Sequence, residues 1–331
     1  MLSPIFRHAR SLRLHRAAAA LGVALAVQFA AGPAQADGTA IRFADLGVST
    51  DDLYRYLALA DGIYRKHGID LQPVNFLRGG PEVIAAAASQ QLDMGELGTP
   101  ILAGISRGIG IRVVGSPPLK RQEFVLVSRP EIGSVEDLKG RTLGVGSVGG
   151  GQSQALRFIL NAHSIAPGDV KTIAFGASAN GYFALKSGQL AAAIMSEPET
   201  SKSVMEGFGK LLAKAVDYYG RYQHTYVFAS QNFIAQHPDA IRAYFAANRE
   251  AIDYATAHRA ELVALGKAKL NLDETLLERI FDEQKPDWDD SQSVDEEGLL
   301  NAVKIVQDLG DIDKSYVPQI DRIVDLRFVG N

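Results

Sequence analysis

One glycine-rich segment, residues 140–160, constrains the fold of this chain more than any other feature. It reads GRTLGVGSVGGGQSQALRFIL, with an apolar stretch at residues 142–145 and four glycines within residues 146–151. The apolar stretch predicts a buried strand, and the apolar residues from 155 to 160 recur at helical spacing. Glycine permits the tight turn between the two. The segment therefore predicts a strand that leads through a turn into a helix, as in α/β domains.

This turn has two interpretations. The Ser147 hydroxyl and the backbone N–H groups of Gly149, Gly150 and Gly151 lie at a predicted helix start, where an anion or a strong hydrogen-bond acceptor is favoured. The alternative is a tight turn without a ligand. The turn lacks the lysine of a phosphate-binding loop, and its glycine spacing does not match the dinucleotide-binding fingerprint.

The N-terminal residues predict export. Four arginines precede an apolar run at residues 17–31, and Ala34-Gln35-Ala36 fits a small-residue cleavage site. We expect a signal peptide over residues 1–36, cleaved after Ala36 when the chain is exported. The alternative is a retained membrane anchor, for which the run is short.

The mature chain is acidic and free of cysteine. Removing the four arginines of residues 1–36 from the chain's 34 basic residues leaves 30, against 38 acidic residues. This balance argues against nucleic acid or an anionic membrane as a partner. The absence of cysteine excludes disulfides, thiol-based sites and a lipid-anchored cysteine.

Strands alternate with helices in two successive series, which predicts two α/β lobes with mostly parallel sheets. The segments SQQLDMGELGTP (residues 89–100) and SGQLAAAIMSEP (residues 187–198) share Ser, Gln, Leu and the final Pro. This internal similarity places Thr99 and Glu197 at equivalent positions, unless it arises by chance. We expect residues 226–230 to pair with the strand at residues 124–128 and close the second lobe. A helical tail after Pro238, anchored by Trp288, is expected to cover the first lobe.

Ligands of open α/β sheets bind beyond the carboxyl ends of the strands. Small polar residues predominate at these ends, which suits a polar or anionic small molecule. The first lobe offers Ser49, Thr50, Asp51, Gly79, Gly98, Thr99 and Ser116, and the second offers Ser147, Gly149, Gly150, Gly151, Ser178, Asn180, Ser196 and Glu197.

Three side chains have two interpretations each. Glu197 is either a helix cap or an acceptor for a ligand N–H, O–H or cation. His224, between Tyr222 and Tyr226, is either structural or a ligand contact, and Arg78 either pairs with a ligand anion or faces water. The sequence has no Gly-x-Ser-x-Gly or His-Glu-x-x-His motif and no clustered histidines. We therefore expect no catalytic residue, no metal site and no cofactor.

Several motifs together resemble the periplasmic substrate-binding proteins of ABC importers for sulfonates, nitrate and taurine. They are DGIYRKHGIDL, QLDMGELGTPILAGISRG, LKGRTLGVGSVGGG and AAIMSEP, within a similarity that extends over residues 41–238. The resemblance implies a type II binding-protein fold that closes on its ligand, with crossings near residues 118–122 and 233–238. It assigns residues 37–122 and 235–331 to lobe 1 and residues 123–234 to lobe 2. It also implies an inner-membrane ABC permease as partner, and we expect a monomer.

The same fold occurs in the yeast-type synthase of the thiamine pyrimidine and in effector domains of bacterial regulators. The synthase family carries a Cys-rich motif that this chain lacks, and a signal peptide stands here in place of a DNA-binding helix-turn-helix. A binding module is thus favoured over enzyme and regulator. We expect its ligand to be an organic anion, either a sulfonate or an aromatic or aliphatic carboxylate. The alternative is an amine- or pyrimidine-type nutrient that contacts Glu197.

Overall fold

The computed structural model describes residues 38–76, 78–119, 124–176 and 178–329, so the predicted signal peptide lies outside the described residues. The strands in these ranges are β1 (Thr39–Asp45), β2 (Ile69–Asn75), β3 (Met94–Gly98), β4 (Ile111–Gly115), β5 (Val125–Ser128), β6 (Thr142–Val145), β7 (Lys171–Ala174), β8 (Ala192–Met195), β9 (Lys210–Lys214) and β10 (Thr225–Ser230).

Helices follow most strands and dominate the C-terminal part. They are α1 (Leu53–Ala60), α2 (Ile63–Lys66), α3 (Gly80–Ala88), α4 (Pro100–Ser106), α5 (Gly151–Ala162), α6 (Ser178–Lys186), α7 (Glu199–Met205), α8 (Val216–Tyr219), α9 (Gln231–Gln236), α10 (Pro238–Ala257), α11 (Arg259–Leu270), α12 (Glu274–Gln284), α13 (Glu296–Asp308) and α14 (Ile320–Ile323). In the described ranges, none of them combines the length and the apolar character that crossing a membrane requires.

The strands form two five-stranded sheets with matching topology. The first has the order β2-β1-β3-β10-β4 and the second the order β7-β6-β8-β5-β9. In each sheet the fourth strand, β10 or β5, runs antiparallel to its neighbours. The first sheet with α1–α4 and α9–α14 is called the first lobe, and the second sheet with α5–α8 the second lobe. The prediction of two α/β lobes is confirmed, and both sheets are mixed: each has two parallel and two antiparallel strand pairings.

The two similar sequence segments occupy matching places. β3 pairs in parallel with β1, and β8 pairs in parallel with β6. Each is followed by a proline-initiated turn, at Thr99-Pro100 in the first lobe and at Glu197-Pro198 in the second. The expectation that Thr99 and Glu197 are equivalent therefore has a topological basis.

One predicted pairing is wrong. β10 does not lie beside β5 but between β3 and β4 of the first sheet, with Val227 opposite Glu96 and Phe228 opposite Val113. Its alternating pattern fits either sheet, because a short apolar strand carries no information about its partner. The chain therefore returns to the first lobe between β9 and β10, and the predicted return near residues 233–238 falls instead on α9 and the start of α10.

The C-terminal tail forms hydrogen bonds or a β-bridge with both segments in which the chain crosses between the lobes. After β4, the N–H of Ser116 donates to the Gln292 carbonyl at 2.9 Å, and Leu119 forms a β-bridge with Trp288. Before β10, the Asn301 amide donates to the Tyr219 carbonyl at 2.9 Å. The predicted role of Trp288 as an anchor of the tail agrees with this contact.

The tail packs mainly on the first lobe, as predicted. Ile241, Tyr244 and Phe245 of α10 share a buried cluster with Phe43 of β1. α13 lies between the two cores, because Leu299 and Val303 pack in the first lobe whereas Ile305 and Leu309 join the cluster of the second. The C-terminal helices therefore connect the lobes as well as covering the first one.

Candidate functional site

A cavity of about 350 Å³ lies between the two lobes at the carboxyl ends of their central strands. Its walls come from the turns after β1, β2 and β3 in the first lobe and after β6, β7 and β8 in the second. The lobes approach closely here, since a Cβ atom added to Gly79 would lie 3.1 Å from the Ser147 hydroxyl oxygen. Gly79 also has a φ of 81°, so this contact point between the lobes requires glycine.

The structure brings most of the predicted site residues together. Those that line the cavity are Ser49, Asp51, Gly79, Gly98, Ser147, Gly150, Gly151, Ser178, Ser196, Glu197 and His224. Those that lie outside its lining are Thr50, Thr99, Ser116, Gly149 and Asn180.

The residues outside the lining have other partners. Thr99 is buried and donates to the Gln154 side chain. The Ser116 hydroxyl donates to the Pro117 carbonyl at 3.1 Å, and the Asn180 amide to the Phe175 carbonyl at 2.8 Å. Thr50 is buried and accepts from Gln284 at 3.4 Å, whereas Gly149 forms the bend of its turn with a φ of 74°. A position at a strand end therefore does not guarantee access to the cavity.

The glycine turn and α5 form one wall. Gly150 and Gly151 line the cavity at the first residues of α5, where backbone N–H groups have no carbonyl partner within the helix. The Ser147 carbonyl accepts from the N–H of Gly150 at 3.2 Å, which closes the turn. Gln152 donates from its side chain to Ser178 at 2.8 Å and so connects this turn to the one after β7.

The first lobe also contributes a buried charged cluster to the cavity, and none of its three residues is among the predicted site residues. The guanidinium of Arg55 pairs with Asp52 and lies 2.8 Å from Glu96, and all three residues line the cavity. Arg55 is 4% exposed. Tyr244 also donates to Glu96 at 2.9 Å. Burial raises the pKa of Asp52, although Arg55 opposes that rise.

A weak signal for this cluster exists in the sequence. Glu96 interrupts the otherwise apolar strand MGELG, and a carboxylate inside a buried strand requires a cationic or hydrogen-bonding partner. Arg55 lies in α1 between the buried residues Leu53, Tyr54 and Leu57, so the helical spacing indicates that its side chain is buried as well. The partner is 41 residues away in sequence, so no local motif joins the two.

Two carboxylates of the second lobe line the opposite wall. Glu197 accepts from the Ser201 hydroxyl at 2.9 Å and from its N–H at 3.3 Å, so the capping role is present. Burial raises the pKa of Glu197. Burial, with repulsion from Glu197, also raises the pKa of Glu199 to about 7. Glu199 is thus a lining carboxyl group whose charge changes near neutral pH.

Aromatic and apolar side chains complete the walls. His224 packs edge-on against Phe124 with ring centroids 4.5 Å apart, and its Nδ1 lies 2.9 Å from the Thr225 hydroxyl. Burial lowers the pKa of His224 to about 4, so this ring is neutral at pH 7. Phe76 and Leu119 also line the cavity. Arg78 does not: it is exposed and pairs with Glu82 at 2.9 Å.

Within the described ranges, five acidic side chains and one arginine line the cavity, and no group of three or more His, Asp or Glu is arranged to hold a metal ion. The arginine is already paired with two of the carboxylates. The cavity therefore offers hydrogen-bond donors at the start of α5 and acceptors at Glu197 and Glu199. A ligand with an acceptor group, a donor group or both can be held there.

The chain is similar to known proteins in sequence and fold. A family profile described as NMT1/THI5-like matches residues 49–262, more than half of the chain. A Brucella abortus (strain 2308) protein, named only as a candidate binding protein, is 26% identical over 265 residues that cover 78% of this chain and 80% of the relative.

Solved structures share the fold at low sequence identity. The alkanesulfonate-binding protein SsuA from Xanthomonas axonopodis pv. citri, bound to MOPS, superposes with a TM-score of 0.71 and 17% identity, covering 88% of this chain and 99% of that one. The periplasmic nitrate-binding protein NrtA from Synechocystis PCC 6803 superposes with a TM-score of 0.70 and 16% identity, covering 88% and 87%. The two-lobed architecture is thus that of periplasmic binding proteins.

Proposed function

Because this chain belongs to the NMT1/THI5-like family and has the two-lobed periplasmic binding-protein fold, we propose that it is the solute-binding component of an ABC import system. In this role it captures a small organic molecule between its lobes and delivers it to an inner-membrane permease. It acts as a monomer in the periplasm, after cleavage following Ala36. The observation that carries the proposal is the cavity between the lobes, of a size suited to a small molecule.

The first candidate ligand is an organic anion, either a sulfonate or an aromatic or aliphatic carboxylate. Its anionic group binds the Ser147 hydroxyl and the backbone N–H of Gly151 at the start of α5, next to the N–H of Gly150 that closes the turn. The names of two structural neighbours, an alkanesulfonate-binding and a nitrate-binding protein, support this class. Apolar side chains such as Phe76 and Phe124 then contact the organic part.

The second candidate is an amine- or pyrimidine-type nutrient. The specific observation in its favour is the pair of carboxylates, Glu197 and Glu199, on the wall of the second lobe. Burial raises the pKa of both carboxyl groups, and a cation or N–H donor bound beside them would stabilise their charged forms. An enzyme related to the thiamine-pyrimidine synthase is less supported, because the chain contains no cysteine.

Native mass spectrometry of the protein purified from the periplasm tests the function. We expect a mature N-terminus at Asp37 and a small molecule that dissociates at higher collision energy. Adding that molecule back to ligand-free protein is expected to reduce the radius of gyration by small-angle scattering. It should stabilise the fold by ~2.7 kcal/mol at a hundredfold excess over its dissociation constant. A protein that carries no molecule, and gains no stability from sulfonates, carboxylates, amines or pyrimidines, contradicts the proposal.

Glu197→Gln and Glu199→Gln distinguish the two ligand classes. Loss of a hydrogen bond to a charged group costs roughly 1.5–3 kcal/mol, so either variant is expected to weaken an amine or pyrimidine ligand by ~10–150-fold. A sulfonate or carboxylate is expected to bind equally well or slightly more tightly. Isothermal calorimetry with the identified ligand measures the difference. The matched control is Glu206→Gln, which alters a carboxylate after α7 that pairs with Lys186 away from the cavity.

The pH dependence of affinity gives a second readout for the same variants. Glu199, with its pKa of about 7, is mostly protonated at pH 6 and mostly charged at pH 8. A cationic ligand is therefore expected to bind more tightly at pH 8 than at pH 6, and an anionic ligand less tightly. Glu199→Gln should remove the part of this pH dependence of affinity that arises from Glu199. A cationic ligand with the same pH dependence in the variant contradicts the assignment.

A further inference from the structure

α5 connects the two lobes through side chains that do not line the cavity. Its Gln154 accepts from the Thr99 hydroxyl of the first lobe and donates to Asp311 at 3.1 Å. One turn further along, Arg157 donates to Asp311 at 2.9 Å and to the Leu309 carbonyl. We call the four residues joined by these side-chain bonds the latch: Thr99, Gln154, Arg157 and Asp311.

The partners of α5 in the latch belong to the first lobe. Thr99 lies between β3 and α4. The Asp311 carbonyl accepts from Arg107, which follows α4, at 2.8 Å, and the next residue, Ile312, is buried in a first-lobe cluster. α5 itself is anchored in the second lobe, where Leu156 and Ile159 are buried against the second sheet. The bonds of α5 to Thr99 and Asp311 therefore cross from one lobe to the other, whereas the Leu309 carbonyl lies beside a side chain that packs with the second lobe.

The environment of the latch makes these bonds effective. Thr99 and Gln154 are 2% and 4% exposed, so their hydrogen bond is shielded from water. The Arg157 and Asp311 side chains are 28% and 22% exposed, so salt screens their ion pair less than one at the surface. An arginine that donates to a carboxylate and a carbonyl forms charge-assisted bonds in a defined geometry.

We infer that the latch stabilises the closed arrangement of the lobes in the absence of ligand. The same helix carries both functions: its first residues line the cavity, and its next two turns hold the first lobe. A latch that favours the closed state also raises ligand affinity without touching the ligand, because ligand selects that state. Arg157 and Asp311 are thus affinity-determining residues outside the cavity. This inference rests on the lobe closure of the proposed function.

A distance measurement on ligand-free protein tests the latch. The chain contains no cysteine, so Asn75→Cys and Ala174→Cys accept two spin labels without further substitution. These exposed positions end β2 and β7, the matching edge strands of the two lobes. After ligand removal by unfolding and refolding, pulsed electron–electron double resonance is expected to show two populations of label-to-label distance. The short distance corresponds to the closed arrangement and the long distance to the open one. Ligand added later should enrich the short one.

Arg157→Met is expected to lower the ratio of closed to open protein by about tenfold, which corresponds to ~1.4 kcal/mol. Asp311→Asn should act in the same direction, and the double variant should lose little more than either single variant, because both changes remove the same Arg157–Asp311 ion pair. The control is Lys304→Met, which removes an ion pair with Asp308 inside α13. The Lys304–Asp308 distance is 2.8 Å, close to the 2.9 Å between Arg157 and Asp311. Its closed fraction should match that of the parent.

Three outcomes overturn the latch. The first is that the parent protein shows no short-distance population. The second is that the closed-to-open ratios of Arg157→Met and Asp311→Asn lie within twofold of the parent ratio. The third is that Lys304→Met lowers the closed-to-open ratio as much as Arg157→Met does. If Arg157→Met does not fold, as judged by circular dichroism, the closed-to-open ratio of Asp311→Asn is sufficient by itself. Because the measurement uses no ligand, a failed latch leaves the proposed function standing, whereas failure of ligand capture is detected by mass spectrometry.

Discussion

Gly150→Val is expected to weaken ligand binding at the start of α5 by at least about a hundredfold while leaving the protein folded. A Cβ atom at this position would overlap the Ser147 hydroxyl oxygen, so either the turn or the Ser147 side chain must move. Overpacking of this kind costs about 1–3 kcal/mol, and a lost bond to a charged group costs roughly 1.5–3 kcal/mol more. Together these costs come to about 2.5–6 kcal/mol, which corresponds to ~10²–10⁴-fold weaker binding of an anionic ligand by calorimetry.

The physical reason differs from the one that the sequence indicates. Glycine repeats predict positive φ angles, but Gly150 has a φ of −82° and only Gly149 bends the turn with a positive φ. Gly150 is required because of the space taken by Ser147. A valine at Gly168, which has open space around it and lies in the same lobe, is the matched control and should bind normally.

Ser147→Ala provides the graded companion to this prediction. It removes one donor without adding atoms, so an anionic ligand should bind ~10–150-fold more weakly. Unchanged affinity in both Gly150→Val and Ser147→Ala, with a folded protein by circular dichroism, would place the ligand's anionic group elsewhere in the cavity.

The local pattern of the sequence is sufficient for most elements but not for their partners. The predicted strand at residues 142–145 matches β6 to the residue, because an apolar run bounded by turns defines a buried strand. The pattern also predicts β10 as a strand, but it suggests the wrong sheet. The insertion of β10 between β3 and β4 depends on contacts more than 100 residues apart, which hydrophobic spacing does not encode.

The candidate site shows the same division. Rules about strand ends select the glycine turn and Glu197, since those rules follow from the topology of parallel sheets. They miss Glu199, which lies two residues further along, and the Arg55 cluster. They also select Thr99 and Ser116, whose side chains turn to Gln154 and to Pro117. Side-chain direction depends on tertiary partners, and a single sequence does not reveal those.

Arg55→Met is expected to destabilise the fold by about 3–5 kcal/mol, because it leaves Asp52 and Glu96 buried without their cation. Urea unfolding followed by circular dichroism measures the free energy of unfolding. The matched control is Arg42→Met, which removes an exposed partner of Asp93 in the same lobe and should cost less than about 1 kcal/mol. Adding Asp52→Asn and Glu96→Gln to Arg55→Met should restore more than half of the loss, since the cluster then contains no charged side chain.

The pH dependence of the same variant identifies the cause of its instability. Burial already raises the pKa of Asp52 in the presence of Arg55, and removal of the guanidinium raises it further above its value in the unfolded chain. The folded variant then binds more protons than the unfolded chain, so its stability relative to the parent rises as the pH falls. We expect the deficit measured at pH 7 to shrink at pH 5. A deficit that is equal at both pH values would instead indicate lost packing of the arginine side chain against Phe43.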